Sequence, residues 1–300
     1  MPPNFLTENC SDHIIRLIER DVNQTILPKF SFNSVVDGRI NVLIPHLPPD
    51  EADPDEIKRY DMIVFFSHWQ QQMYNLFLDI PYSSGIVMRN AIEPIRVHEK
   101  PRLVTNTLYV GEMDRGLDIA IASFKKLNRR KHPDAKLIVC TTKNKYSSLP
   151  AKHVKSLVDE LNSNTNIECH KNADNDMDHR GLYHRSHIFV YPTNYPEASY
   201  TPLIRAMSAG CMCIHSSYGS LPETALDLTS MYGFDEDRLQ HTLKFTGELS
   251  NALDIYKHSG LRRAMMQTLN KNKSSVDNVY DWKTRAYKWN DLLLNILTQK

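Results

Sequence analysis

The sequence has few of the residues that mark several large classes of protein. Only five of its 300 residues are cysteine and none forms a Cys-x-x-Cys pair, so neither a disulfide framework nor a zinc site of the usual ligand spacing is expected. No apolar run approaches the ~18 residues that a membrane-spanning helix needs. The first residues show no basic segment followed by an apolar one. These absences predict a cytoplasmic protein that has no bound metal and whose cysteines are reduced.

An excess of charge of either sign is also absent. The chain has 36 Lys and Arg against 35 Asp and Glu, a formal net charge of +1, which argues against a general surface for nucleic acid. Glycine is scarce, at 10 residues, and we find no internal repeat or low-complexity tract. The hydrophobic fraction of 41% is ordinary for a globular protein, and the length suits one large domain or two of usual size.

Short apolar runs alternate with amphipathic segments along most of the chain. This pattern predicts an α/β protein with parallel sheets, and such sheets bind ligands at the carboxyl ends of their strands. A polar break at residues 95–102 separates three strands from the next five, so we place a domain boundary between residues 98 and 99. The predicted strands are 41–45, 62–67, 85–89, 107–111, 136–141, 166–170, 187–192 and 211–216, and the predicted helices are 11–20, 68–78, 117–128, 151–161, 179–186, 203–209, 236–256, 261–269 and 282–297.

The segment 191–224 carries the most informative pattern. A strand ends at Pro192, a loop carries Glu197, and a helix begins near Pro202, whose missing N–H is not needed in a first turn, and ends at Gly210. The free amides at the start of such a helix suit a diphosphate, and the preceding carboxylate can accept hydrogen bonds from sugar hydroxyls. From these features alone, a plain βαβ crossover with an incidental acid is an equally good interpretation.

This segment resembles the donor-site signature of the retaining glycosyltransferases of GT-B fold, of the glycosyl transferases group 1 type. The signature combines a strand ending in Pro-Ser or Pro-Thr, a Pro-Glu pair, a helix ending in Ala-Met-x-Ala-Gly and a Gly-x-x-Pro-Glu turn. Here these elements read Tyr191-Pro-Thr, Pro196-Glu197, Ala206-Met-Ser-Ala-Gly210 and Gly219-Ser-Leu-Pro-Glu223. The resemblance implies a GT-B fold of two Rossmann-like domains with parallel sheets, the N-terminal one reduced.

The resemblance also implies roles for single residues of this segment. Glu197 matches the first Glu of the family's E-x7-E motif and would contact the transferred sugar. The second Glu, which usually holds the nucleotide ribose, is replaced by Arg205, and this departure leaves ribose recognition open. The other donor-binding residues implied by the loop and the helix start are Ser199, Tyr200, Thr201 and Leu203.

A second turn, at residues 111–116, resembles the family's Gly-Arg-…-Lys-Gly turn in a shorter form. The basic residue before its last glycine contacts the donor diphosphate in the family, so Arg115 is expected to do so here. A guanidinium suits this role because its planar fork can grip phosphate oxygens in two places; a solvated turn residue is the alternative. The family's earlier Arg is replaced by Glu112, and Gly111, Glu112 and Lys143 complete the predicted donor contacts.

The first hundred residues resemble the late part of the family's N-terminal domain. His46 follows the strand 41–45 and is expected to touch the acceptor or the donor sugar, with a structural histidine as the alternative. Fewer than a hundred residues precede the boundary, whereas a usual domain of this kind has ~150–200. The missing strands are therefore expected from a neighbouring chain or from sequence outside this one, and a homodimer is compatible with this. Residues 282–300 are expected to pack back on the N-terminal domain, which leaves 99–281 as the donor-binding domain.

The resemblance implies a glycosyltransferase that moves a sugar from a UDP- or GDP-linked donor to a hydroxyl of a glycan or another acceptor. It implies retention of configuration and no metal or cofactor, with Glu197, Arg115 and His46 as the predicted catalytic residues. One alternative is a non-catalytic relative that acts as a binding or scaffold subunit, which Arg205 and the short first domain favour. Another is a nucleotide-sugar epimerase. Hydrolysis of the donor, interconversion of the donor, or neither would distinguish the three.

Overall fold

The computed structural model of the chain describes residues 10–46, 48–141, 149–171 and 176–299, which form two parallel sheets flanked by helices. The first sheet has four strands in the order β1-β2-β3-β4, and the second has six in the order β10-β9-β8-β5-β6-β7. Every strand pair in both sheets is parallel. The strands are β1 (Phe30–Phe32), β2 (Ile40–Leu43), β3 (Met62–Phe65), β4 (Gly85–Val87), β5 (Asn106–Val110), β6 (Lys136–Thr141), β7 (Ile167–Lys171), β8 (Ile188–Tyr191), β9 (Met212–Ser216) and β10 (Ser230–Tyr232).

One helix precedes the first strand, and the others connect most of the strands or follow the last of them. The eight predicted strands and nine predicted helices are all present, with small shifts at their ends. The largest difference is the helix predicted at 261–269, which continues to Tyr280 because Val276 and Tyr280 are buried along it. The helices are α1 (Cys10–Asp21), α2 (Pro54–Ile57), α3 (His68–Leu78), α4 (Leu117–Arg130), α5 (Ala151–Ser163), α6 (Asp176–His184), α7 (Thr201–Ser208), α8 (Leu221–Ala225), α9 (Arg238–Lys257), α10 (Ser259–Tyr280) and α11 (Trp282–Gln299).

Four elements, β1, β10, α2 and α8, have no counterpart among the predictions. Each has only three to five residues, and so short a run contains too little hydrophobic periodicity to be recognised. A local signal did succeed at α3, where Ser67 accepts a hydrogen bond from the backbone N–H of Gln70 at 3.1 Å, as expected of a residue that caps a helix.

The order of the second sheet fixes where a ligand can bind. If β5 to β10 are numbered 1 to 6, the strands lie in the order 3-2-1-4-5-6 from the β7 edge of the sheet. This is the strand order of a dinucleotide-binding Rossmann fold. The order reverses between the neighbours β5 and β8, and a crevice opens at the carboxyl ends of two such strands. The two segments that the sequence singles out, 111–116 and 192–201, directly follow these two strands.

The cores of the two sheets are separate, and we call the parts of the chain built around the first and the second sheet the first and the second domain. Ile92 and Ile95 already pack in the core of the second sheet, whereas α11 returns to the first, where Trp289 and Leu293 pack in the same core as α1 and β2. The outgoing and returning segments of the chain touch, because Ile92 N–H donates to Tyr280 O at 2.8 Å and Trp282 N–H donates to Ile92 O at 2.9 Å. The division of the chain at residues 98 and 99 stays a prediction.

The predicted fold class is confirmed. The chain is an α/β protein of two parallel sheets, and the sheet of the N-terminal part is the smaller one. Within the described residues, no helix combines the length and the apolar character that crossing a membrane requires. In that same part of the chain, no three His, Cys, Asp or Glu side chains come together as a metal site would need.

Two buried histidines in the second domain are held in the neutral form. His187 accepts a hydrogen bond from Asn106 N–H at its Nδ1 (3.1 Å), so its proton resides on Nε2 and is donated to Pro101 O at 2.9 Å. A second proton on Nδ1 would face the Asn106 N–H. Burial, with Lys100 and Arg262 nearby, lowers the pKa of His187 to about 4, and burial lowers the pKa of His215 to about 4 as well.

These pKa values predict that the protein loses stability in mild acid. Between about pH 6.5 and pH 4 these histidines bind protons in the unfolded chain but stay neutral in the folded protein. Their contribution to stability is therefore fully present above pH 6.5 and falls as the pH drops. We expect the free energy of unfolding, measured with urea, to fall by about 2 kcal/mol per histidine from pH 7.5 to pH 5. His187→Gln should flatten this dependence, while His153→Gln, which changes an exposed histidine of α5, should not. An equal slope in both variants would contradict the assignment.

Candidate functional site

Two glycines bring the loops after β5 and β8 into direct contact. Gly116 has φ +85°, in the left-handed region, and a Cβ on it would lie 1.9 Å from the carbonyl oxygen of Pro192 at the end of β8. Only glycine fits there without displacing backbone. A Cβ on Gly111 would lie 3.0 Å from the hydroxyl of Tyr200. The short turn 111–116 therefore packs on the loop that leads to α7, with little room between them.

A third glycine holds the loop that carries Glu197. Gly219 has φ +60°, and a Cβ on it would lie 2.7 Å from the backbone nitrogen of Glu197. The next residue, Ser220, donates its N–H to the carbonyl oxygen of Glu197 at 2.9 Å. The turn before α8 therefore packs against the backbone of Glu197. This close contact explains the glycine in the Gly-x-x-Pro-Glu part of the sequence pattern.

Arg115 and Glu197 meet at the point where β5 and β8 end. A guanidinium nitrogen of Arg115, Nη1, lies 3.4 Å from Glu197 Oε1, and the two side chains are only 18% and 16% exposed. Two further carboxylates face the same guanidinium, Glu112 at 3.6 Å and Asp114 at 3.5 Å. The guanidinium also lies over the ring of Tyr195, 3.0 Å from its centroid. Burial acts to lower the pKa of Arg115, but Glu197 and Glu112 raise it above its ordinary value, so the guanidinium stays charged.

Buried tyrosines form the floor of the site. The hydroxyl of Tyr191 donates to Glu197 Oε1 at 2.5 Å, and its ring stacks on Tyr200 with 3.8 Å between centroids. The hydroxyl of Tyr200 donates to Val110 O, and that of Tyr109 donates to Glu112 O at 2.7 Å. Burial raises the pKa of all three hydroxyls, so they stay protonated and act as fixed donors.

The buried setting of Glu197 disfavours the charged form of its carboxyl group. Burial raises its pKa above the ordinary value, although Arg115 and the Tyr191 hydroxyl both act to lower it; the nearby Glu112 adds to the rise. A carboxylate that is buried yet hydrogen-bonded at a defined position can accept a hydrogen bond from a substrate hydroxyl with little rearrangement. The arrangement suits the recognition of a sugar next to a cation that can take a phosphate.

Most of the remaining residues of the predicted site lie in α7 or just before it. Ser199 and Tyr200 are buried before α7, and Thr201 is the first residue of that helix. The side chain of Leu203 is fully buried in the core, and its N–H donates to Tyr200 O at 3.1 Å, so its backbone belongs to the first turn of the helix. Arg205 is half-buried further along α7, where it lies close enough to Tyr183 to act on the pKa of that hydroxyl.

His46 and Lys143 are the last two of the predicted site residues. His46 is exposed beyond the carboxyl end of β2, in the first domain. Lys143 lies outside the described residues. The structure therefore brings together Gly111, Glu112, Arg115, Glu197 and Tyr200, and the roles of all the predicted residues stay predictions.

Sequence reasoning missed the two tyrosines that touch the central ion pair. Tyr191 reads as the last residue of a buried strand and Tyr195 as a loop residue, and neither pattern distinguishes a core or surface aromatic from a site residue. Their position just after a strand of a parallel sheet was the available signal. The Arg115–Glu197 contact spans 82 residues of sequence, so it could not be seen from spacing.

Comparison with known proteins adds a family and several similar folds. The family described as glycosyl transferases group 1 matches residues 93–243, half of the chain. The chain is similar to a glycosyltransferase from Rickettsia africae, at 15% identity and a TM-score of 0.70, over 100% of this chain and 83% of that one. No curated protein sequence matches it.

Two further solved structures are similar over most of the chain. Sucrose-phosphate synthase from Thermosynechococcus elongatus is 15% identical with a TM-score of 0.68, over 87% of this chain and 69% of that one. The Anabaena protein HepE in complex with UDP-glucose is 11% identical with a TM-score of 0.63, over 87% of this chain and 73% of that one. At these identities the likeness establishes a shared fold.

Proposed function

The chain belongs to the family of glycosyl transferases group 1, and we propose that it moves a sugar from a UDP- or GDP-linked donor to an acceptor hydroxyl, with retention of configuration and without a metal. The observation that carries this proposal is the contact between Arg115 and Glu197 at the carboxyl ends of β5 and β8. Fold and family support glycosyl transfer in general. The finer statements rest on the chemistry of this pair.

Each member of the pair suits one part of the donor. The first turn of α7, which begins at Thr201, presents the positive end of a helix dipole, and Arg115 adds a fixed guanidinium. Together they would hold the diphosphate and stabilise the charge that grows on it as the bond to the sugar breaks. Glu197 would accept a hydrogen bond from the sugar. In a retaining reaction of this kind the acceptor hydroxyl attacks from the side of the leaving group, and the diphosphate itself can take its proton.

One of the similar structures supports the choice of donor to test first. The Anabaena protein HepE was solved in complex with UDP-glucose, and its fold covers 87% of this chain. UDP-sugars are therefore the first donors to offer, with GDP-sugars second. The acceptor in this proposal is a hydroxyl of a glycan or of another molecule.

A non-catalytic binding relative is the second candidate. The observation that favours it is the charge of the site, where Glu112, Asp114 and Glu197 all face the one guanidinium of Arg115. Two carboxylates in excess would oppose a doubly charged diphosphate. Arg205, at the position expected to hold the ribose, also favours this candidate.

A thermal-shift screen of the whole chain against UDP, GDP, ADP and CMP, each with and without Mg²⁺, tests the proposal. A ligand that binds only the folded protein stabilises it by about 2.7 kcal/mol at a hundredfold excess over its dissociation constant. We expect a clear shift with UDP or GDP that Mg²⁺ leaves unchanged, followed by release of that nucleotide from its sugar conjugate. A shift without any turnover of UDP-glucose or GDP-mannose would favour the binding relative, and no shift at all would contradict a nucleotide-sugar site.

A further inference from the structure

The first domain makes a buried hydrogen bond to the start of α7. Asn90, which is 0% exposed and follows β4, donates its side-chain amide to the Oγ1 of Thr201 at 2.9 Å. The side-chain oxygen of Asn90, Oδ1, accepts a hydrogen bond from the N–H of Ala91 at 2.9 Å, which fixes the orientation of the side-chain amide. Thr201 is the first residue of α7. A side chain of one domain therefore holds the helix end that would bind the diphosphate in the other.

A second hydrogen bond from the first domain reaches the residue after Glu197. Ser67, which follows β3, accepts from Gln70 N–H as the cap of α3 and donates its own hydroxyl to Ala198 O at 2.9 Å. Its side chain is buried as well. We call residues 197–201 the donor segment. Ser67 and Asn90 thus hold the two ends of the donor segment, at Ala198 and at Thr201.

A charged contact closes the same interface on one side. The carboxylate of Glu223 accepts from the backbone N–H groups of His68 (2.9 Å) and Trp69 (3.3 Å), at the start of α3. It also contacts the ring of His68 at 3.0 Å and the guanidinium of Arg89 at 3.5 Å. A carboxylate at the positive end of a helix dipole is favourable. Glu223 lies in α8, just after the turn that packs against the backbone of Glu197. Its contact with α3 therefore connects the first domain to that turn.

We propose that Ser67, Asn90 and Glu223 are positioning residues for the donor, so that contacts with the first domain shape the nucleotide-sugar site. The inference rests on the proposed function. Loops lose conformational entropy when a ligand orders them, and a loop that is already held binds more tightly because this cost is smaller. Three contacts from the first domain hold the donor segment and its supporting turn, and the affinity for a nucleoside diphosphate should depend on each of them.

A double-mutant cycle between Asn90 and Thr201 tests this proposal. Asn90→Ala removes the hydrogen-bond donor, and Thr201→Val removes the hydrogen-bond acceptor while the shape of the side chain stays nearly constant. The dissociation constants of UDP and GDP are measured by calorimetry on the full chain. Loss of one buried hydrogen bond corresponds to roughly a tenfold effect, so we expect each single variant to bind about tenfold more weakly. The double variant should bind no more weakly than either single variant, since the same contact is lost in all three.

Two further variants separate positioning from general stability. Thr201→Ser keeps the hydroxyl and should bind UDP and GDP more tightly than Thr201→Val does. Asn128→Ala is the matched control, because Asn128 is buried and donates to three carbonyls near the start of β6, at the other end of the sheet. It should lower the unfolding temperature while the dissociation constants stay unchanged.

The outcomes distinguish this inference from the function on which it rests. If the wild type binds UDP or GDP and Asn90→Ala binds it equally well, the positioning role is wrong and the proposed function stands. Losses that multiply in the double variant, or an equal weakening in Asn128→Ala, would also overturn the positioning role. If the wild type binds neither nucleotide, the proposed function fails and the inference fails with it.

Discussion

Replacing Glu197 with alanine is expected to abolish glycosyl transfer while the fold stays intact. The carboxylate is held at one position by the hydroxyl of Tyr191 and by Arg115, and loss of one such preorganised group typically costs about a hundred- to a thousandfold in rate. The measurement is the rate of release of the nucleotide from the donor found in the nucleotide screen. Glu197→Gln should lose most of this activity too, because the amide lacks the negative charge.

The stability of the Glu197 variants provides the check that the fold survives. Burial raises the pKa of Glu197, so the folded protein disfavours the ionised form, and the stability it contributes falls as the pH rises through the pKa. A neutral glutamine avoids this loss, so Glu197→Gln should unfold at or above the wild-type temperature at pH 7.5. Glu160→Gln, which removes an ion pair between α5 and Lys125, is the matched control and should keep full activity. Full activity in Glu197→Ala would refute the site.

Arg115→Ala is expected to weaken the binding of UDP or GDP about ten- to a hundredfold, while uridine or guanosine binds as before. A charge-assisted hydrogen bond contributes about 1.5–3 kcal/mol, and the nucleosides lack the phosphates that would receive it. The loss is increased because the carboxylates of Glu112, Asp114 and Glu197 then face the diphosphate without a cation. Arg115→Lys should recover only part of the affinity, since an ammonium cannot grip two oxygens as a planar guanidinium does.

Calorimetric titration of each variant with the diphosphate and the nucleoside measures this difference. Arg262→Ala is a suitable control, because its guanidinium donates to the carbonyls of Pro101 and Arg102, before the start of β5 and at the opposite end of that strand from the site. Equal losses for diphosphate and nucleoside in Arg115→Ala would mean that Arg115 supports the fold of the turn and does not bind phosphate.

The sequence was sufficient to predict the strands and helices that have a long hydrophobic pattern or a clear terminal residue. The run 187–192 became β8 and the run 203–209 became α7, because a buried strand, a proline in a first turn and a terminal glycine each have a local physical cause. Gly116 and Gly219 occupy positive φ values at close backbone contacts, which explains why the turns of the pattern contain glycine. The parallel direction of the strands followed from the alternation of strands and helices.

The contacts that join the site could not be predicted in the same way. Asn90 and Thr201 are 111 residues apart, and Arg115 and Glu197 are 82 residues apart. In both pairs, the residue type does not indicate which distant residue it will contact. The sequence presented Arg115 as a cation available for phosphate, whereas the structure pairs it with three acids. Such pairings depend on how the two domains and the loops meet, and hydrophobic periodicity carries no information about that.

The return of α11 to the first sheet has a consequence for how the protein is made. Trp282, Trp289, Leu293 and Ile296 complete a core whose other members, among them Ile14, Ile18 and Val42, are synthesised first. Domains usually fold in the order in which they leave the ribosome, but here the first sheet must wait until the whole stretch between Ile92 and Trp282 has been added. The second domain can complete its own core earlier. The emerging chain therefore exposes the apolar face of its first strands until α11 has been added, and a chaperone would be needed most in this interval.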